Sequence, residues 1–166
     1  MSAHRERPLA EWMVLGLLAE QPSHGFALAR LLAPGGEVGR VWAASRPLTY
    51  RAMDQLAADG LIAPVRREAG HGPQRTVHEV TPRGQEALAD WLRTPVPRFR
   101  DVRAVLLGKL LLLERAGRSP RRLLAAQRQA FAPLLAEVRA APVTDSVARW
   151  RRAQAGAIAT FLDVDP

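Results

Sequence analysis

Residues 45 to 81 constrain this chain more than any other stretch, because three local signals follow one another without a gap. Ser45 is a good N-cap, and Pro47 falls in the first helical turn, where a missing N–H costs little. The helix they open runs to Gly60, a residue suited to the left-handed position just past a helix end. Two β-like runs follow at once, Leu61 to Glu68 and Arg75 to Thr81, separated by Ala69-Gly70-His71-Gly72-Pro73-Gln74. A glycine-bearing, turn-rich connection between such runs predicts a hairpin with a long tip. Thr81-Pro82 then opens a further helix, with Ala87, Leu88, Trp91 and Leu92 at helical spacing.

Upstream, Pro8 to Glu20 reads as a helix with a broad apolar face, suited to burial on several sides. Ser23 is the expected cap of a second helix, His24 to Ala33, which Pro34-Gly35-Gly36 ends. A short irregular or extended piece follows around Val38 to Ala43. Helix, helix, short piece, capped helix, hairpin and helix, in that order, is the winged helix-turn-helix plan, in which the third helix enters a DNA major groove.

On a helical wheel, Thr49, Ala52, Met53, Leu56 and Ala57 form an apolar arc for the core. Pro47, Arg51, Asp54, Gln55 and Ala58 take the opposite face, with Arg51 and Gln55 one turn apart at its centre. Arginine can bond guanine O6 and N7, and glutamine can bond adenine N6 and N7. Tyr50, at the boundary, is placed for a phosphate contact, as are Ser45 and Arg46 at the helix N-terminus. Asp54 could accept from cytosine or repel wrong sites. On the hairpin, His71, Gln74 and Arg75 could reach an adjacent groove or backbone. The plain alternative for both faces is a solvated surface.

Thr94-Pro95-Val96-Pro97 is the clearest linker signal, dividing a domain over 1–94 from a helical region over 95–166. The expected fold is mainly α with a small β-hairpin. Asp101 to Ala116 reads as a helix apolar on every side, needing cover from its own chain or a partner. Pro120 to Ala140 continues as a helix that Pro133 should kink or break. Asp145 or Ser146 can cap a last helix, where Val147, Trp150, Ala157, Ile158 and Phe161 share a face.

The chain has 166 residues, no cysteine and a formal net charge of +8. Without cysteine there is no disulfide scaffold, thiolate metal site or cysteine nucleophile. The four histidines, His4, His24, His71 and His78, lack metal-ligand spacing, and no catalytic constellation is visible, so neither an enzyme nor a cofactor is expected. No apolar stretch approaches the roughly 20 residues of a membrane span. The N-terminus lacks the pattern of a signal peptide, so a cytoplasmic, non-membrane protein is expected. The charge itself is unevenly placed. Eleven arginines against ten acidic residues leave 1–94 near neutrality, whereas thirteen basic against six acidic residues make 95–166 strongly basic.

Three stretches carry a family resemblance: "VLGLLAEQPSHGFALARLL" (Val14 to Leu32), "SRPLTYRAMDQLAADGLI" (Ser45 to Ile62) and "GPQRTVHEVTPRGQEAL" (Gly72 to Leu88). The run "DVRAVLLGKLLLLERAG" (Asp101 to Gly117) adds a fourth. Together they resemble the PadR family of bacterial transcriptional regulators. The resemblance implies a homodimer joined through its C-terminal helices, binding to double-stranded DNA at a palindromic operator, and repression relieved by a small aromatic or hydrophobic effector. It makes residues 95–166 a dimerisation domain, with Leu106, Leu110, Leu113, Trp150 and Phe161 as candidate contacts. Phe26 and His78 stand where the family often has tyrosine. Arg46-Pro47-Leu48-Thr49 replaces a small, glycine-containing lead-in. The competing expectation is a helical protein–protein adaptor that keeps the fold without DNA affinity.

Overall fold

The computed structural model describes residues 7–69 and 74–163, and in it helix α1 (Leu9–Glu20) is covered on almost every side. Met13, Val14 and Leu15 are wholly inaccessible to solvent. Each such side chain stabilises the fold by about 2 kcal/mol relative to exposure, which makes α1 the hydrophobic centre of its unit, packed on α3 and β3. The one acid on that helix that is also buried, Glu11, is paired with Arg7. The chain divides into two units, Met1–Trp91 and Leu92–Pro166.

Strand β1 (Ser23–His24) and helix α2 (Gly25–Leu32) correct the expected cap. Ser23 is drawn into a strand, and the imidazole of His24 caps α2 instead, its Nδ1 accepting the Ala27 N–H at 3.2 Å. Helix α3 (Arg46–Ala58) begins as expected, with Ser45 Oγ accepting the Leu48 N–H. It ends in a double closure. The N–H of Gly60 bonds the Ala57 carbonyl and that of Leu61 bonds Leu56, with Gly60 at φ 69°. That geometry takes Leu61 out of the hairpin, so β2 starts one residue later than the sequence pattern suggested.

Strands β2 (Ile62–Glu68) and β3 (Arg75–Val80) pair antiparallel, with Val65 as an extra, bulged residue between Pro64 and Arg66. β1 pairs with the other side of β3, so the expected hairpin is a three-stranded sheet of order β1-β3-β2. Pro64 lies in edge strand β2, where a missing donor is tolerated. The start of helix α4 (Pro82–Arg93) is tied back through Thr81, whose hydroxyl donates to the Gly60 carbonyl at 2.8 Å and accepts the Gly84 N–H. Trp91 stacks on Trp12 with ring centroids 5.1 Å apart.

In the second unit the expected helix from Asp101 is graded. A 3-10 turn (Phe99–Asp101) and a π-helical turn (Val102–Leu106) precede α5 (Leu107–Arg115). Helix α6 (Arg121–Ala140) runs on through Pro133, so of the expected kink or break the break does not occur. Pro133 and Gln129, four residues earlier, are both exposed, so the carbonyl that loses its donor has access to water. Helix α7 (Ser146–Asp163) is capped by Asp145, whose Oδ1 accepts the Ala148 N–H at 2.8 Å. It buries Ala155, Ile158, Ala159 and Leu162. This separates Ile158 from the face assigned to it, and leaves Val147, Trp150, Ala157 and Phe161 exposed.

The proline-bounded stretch expected as a linker is docked onto its own unit. Gln127, fully buried on α6, accepts the Val96 N–H at 2.7 Å and donates to the Val96 carbonyl at 2.9 Å. Lys109, buried on α5, donates to the Thr94 carbonyl. Phe99 meets Phe131 edge-to-face at 4.9 Å. Arginines close the helix ends: Arg128 donates to the Leu162 carbonyl near the end of α7, and Arg152 to Arg139 and Ala141 at the end of α6.

Candidate nucleic-acid interface

Helix α3 turns one face inward and one outward. Thr49, Ala52, Met53 and Leu56 are buried. Ala57, assigned to the core on the wheel, is exposed, so the apolar arc is narrower than expected. Ser45, Arg46, Pro47, Arg51 and Asp54 are all exposed. Among these, Arg51 presents its guanidinium at the middle of the outward face.

Gln55 differs from its neighbour one turn earlier. It is half-buried, and its amide donates to Asp59 Oδ1 at 2.9 Å. The other oxygen of Asp59 takes an ion pair from Arg7 at 2.8 Å. Gln55 is therefore tethered into a polar chain running back to α1, and its amide is not freely rotatable.

A cleft of ≈ 390 Å³ joins one side of α3, from Arg46 to Ala57, to strand β3. Four sequence-expected residues line it: Arg46, Tyr50, Gln74 and Arg75. Three others on α3, Ser45, Pro47 and Arg51, are exposed outside it, and Gln55 is not among its lining residues either. His71 lies outside the described residues.

The cleft also holds residues that sequence reasoning missed as site residues: His24, Phe26 and His78. The Arg46 guanidinium lies 5.5 Å from the Phe26 ring centroid and 5.7 Å from that of Tyr50. Arg75 lies 4.7 Å from the same Phe26 ring. The sequence signal for Phe26 was an aromatic side chain in the first turn of α2, but nothing local says that this turn lies beside β3. That proximity follows from β1, a strand of two residues. Gly25 completes the arrangement: a Cβ there would meet Tyr50 Cε1 at 2.7 Å. His78 Nδ1 is buried with no hydrogen-bond partner among the described residues.

The surface is thus chemically suited to an anion. Arg46 and Arg75 supply two guanidinium groups, and neither is ion-paired among the described residues. Asp54 is the one acid lining the cleft among the described residues. No group of three or more His, Asp or Glu among the described residues could hold a metal ion. Among the described residues, no helix is long and apolar enough to cross a membrane.

A capped third helix, a three-stranded sheet at its end and a helix closing the sheet define a winged helix-turn-helix unit. Residues 14–90 match the Transcriptional regulator PadR-like family. The fold is also similar to that of Bacillus subtilis PadR crystallised with operator DNA, at 19% identity and a TM-score of 0.50, over 92% of this chain and 95% of that one. Weaker similarities include B. subtilis PadR without DNA (18% identity, TM-score 0.46, 99% and 100% of the chains) and the PadR-like regulator BC1756 of Bacillus cereus (16%, 0.44, 97% and 95%). A comparison with curated proteins finds no match.

Proposed function

We propose that the protein is a dimeric, sequence-specific DNA-binding regulator that represses transcription from a palindromic operator. The observation that carries this is the shared cleft, where α3 and the chain entering strand β3 present Arg46, Tyr50, Gln74 and Arg75 together. Arg51, exposed beside it, is the base-reading candidate, while Ser45, Arg46 and Arg75 take backbone phosphate. Gln55 and His71 retain supporting roles in this reading, Gln55 through the one amide hydrogen and the oxygen that Asp59 leaves available. The B. subtilis protein of similar fold binds operator DNA. Relief by a small aromatic or hydrophobic effector belongs to the same reading.

Selection of duplexes from a random-sequence pool tests it. The expected product is an inverted repeat with half-sites about one helical turn apart, bound with a log affinity that falls linearly with log salt concentration. Failure to enrich any duplex, with the protein folded, would favour the adaptor reading instead. Release of the enriched duplex on adding an aromatic compound is the corresponding assay for an effector.

A further inference from the structure

We propose that Phe26 is a positioning residue for DNA recognition, its ring holding Arg46 of α3 and Arg75 of β3 as one phosphate clamp. The inference rests on the DNA-binding reading and deepens it. Arg46 and Arg75 come from elements 29 positions apart in sequence, and each would be a mobile surface side chain if nothing gathered them. Each instead lies within cation–π reach of the same ring, at 5.5 and 4.7 Å. The two guanidinium carbons can therefore be no farther apart than the sum of those distances. Tyr50 extends the series on the side of Arg46, and Gly25 leaves the room its ring needs. The order Tyr50, Arg46, Phe26, Arg75 alternates ring and cation across α3, α2 and the wing.

The ring contacts use charge and not hydrogen-bond donors. A guanidinium held beside a ring in this way keeps N–H groups for a ligand, and their fork matches the oxygens of a phosphodiester. The half-buried Phe26 ring also removes rotamer freedom from both side chains before DNA arrives, which lowers the ordering cost of binding. Neither cation is neutralised within the chain: Asp54 lines the cleft, but no ion pair joins it to either arginine among the described residues. Adjacent phosphates of one DNA strand are the ligand that two neighbouring, preordered guanidiniums fit. The wing and the recognition helix then grip the backbone as one body.

The test uses the full chain, the duplex it enriches from a random pool, and an unrelated duplex of equal length, across a salt series. Phe26→Leu keeps an apolar side chain but removes the ring. It is expected to weaken both duplexes about tenfold and to lower the salt slope by about one, while Phe26→Tyr keeps wild-type binding. Arg46→Ala and Arg75→Ala are expected to be coupled, the double variant losing less than the two single losses combined, and that coupling is expected to vanish in the Phe26→Leu background. Wild-type affinity and slope in Phe26→Leu would overturn the clamp alone. If Phe26→Leu does not fold, the arginine pair in the wild-type background decides, and strictly additive losses overturn the proposal. A wild-type chain that binds neither duplex overturns the DNA-binding reading and the clamp with it.

Discussion

Arg51 and Gln55 stand one turn apart on α3, yet their hydrogen-bonding groups are differently free. Arg51 is exposed and has no tether among the described residues, so its donors are available to a base edge. Gln55 has one donor committed to Asp59, and Asp59 is held in turn by Arg7. A base contact from Gln55 has to be made by an amide fixed in rotation, which sharpens its preference but limits what it adds. Arg51→Ala is therefore expected to cost about 1–3 kcal/mol at the operator and to relax preference at one position. Gln55→Ala should cost less. Competition binding against single-base operator variants separates the two, and equal losses at every position for Arg51→Ala would reassign it to phosphate. The wheel placed both residues on the correct side of the helix but said nothing of Asp59, which lies past the periodic segment. Phe26 was hidden for a related reason: its two arginine partners are distant in sequence, and only the fold brings them to it.

Elements were legible where a local chemical signal ended them. Ser45 caps α3, Gly60 stops it, and Thr81 starts α4, each by a hydrogen bond within a few residues. Gly60→Ala, at φ 69°, is expected to destabilise by about 1 kcal/mol, measured by urea unfolding. Elements defined by distant partners were not legible. β1 exists because β3 passes beside it, and the apparent linker at Thr94 to Val96 is docked because Gln127 and Lys109 reach it. Lys109 also links an element to pH. Burial lowers its pKa from 10.5 to about 8. Between about pH 8 and 10.5 the unfolded chain therefore holds more protons than the folded one, so stability rises with pH across that window. Below it the folded state must bury the charged ammonium, and the penalty is largest there. From about pH 7.5 to about pH 10 the gain attributable to Lys109 is expected to be at most about 3 kcal/mol. Lys109→Met should remove it, since methionine does not titrate. Parallel unfolding curves for the two proteins at both pH values check this, and an equal pH response in the variant would sink it.

At the scale of the whole molecule, the question is what the basic, partly apolar second unit does. Part of its charge has a structural use, with Arg128 and Arg152 closing helix ends and Arg98 paired to Asp101. Its apolar residues divide as well. Leu106, Leu110 and Leu113, candidates for the subunit contact, are at most 7% exposed within the chain itself. Trp150 at 66% and Phe161 at 41% remain outward, in line with exposed Val147 and Ala157 along α7. A stripe of that kind on an otherwise charged helix is where a second copy would be expected to pack, with tryptophan as the anchor. Arg149 and Arg151 flank Trp150 and are exposed. A two-fold contact along this stripe would bring like charges from both copies together, so dimerisation should strengthen as salt screens them. DNA binding by the same protein should weaken over the same salt range, because phosphate contacts release counterions. Trp150→Glu adds a buried charge at the anchor and is expected to weaken self-association at least about thirtyfold, with the melting temperature little changed because the side chain is exposed within the subunit. Sedimentation of wild type and variant at two salt concentrations measures both effects. A variant that dimerises like wild type would place the subunit contact on another face.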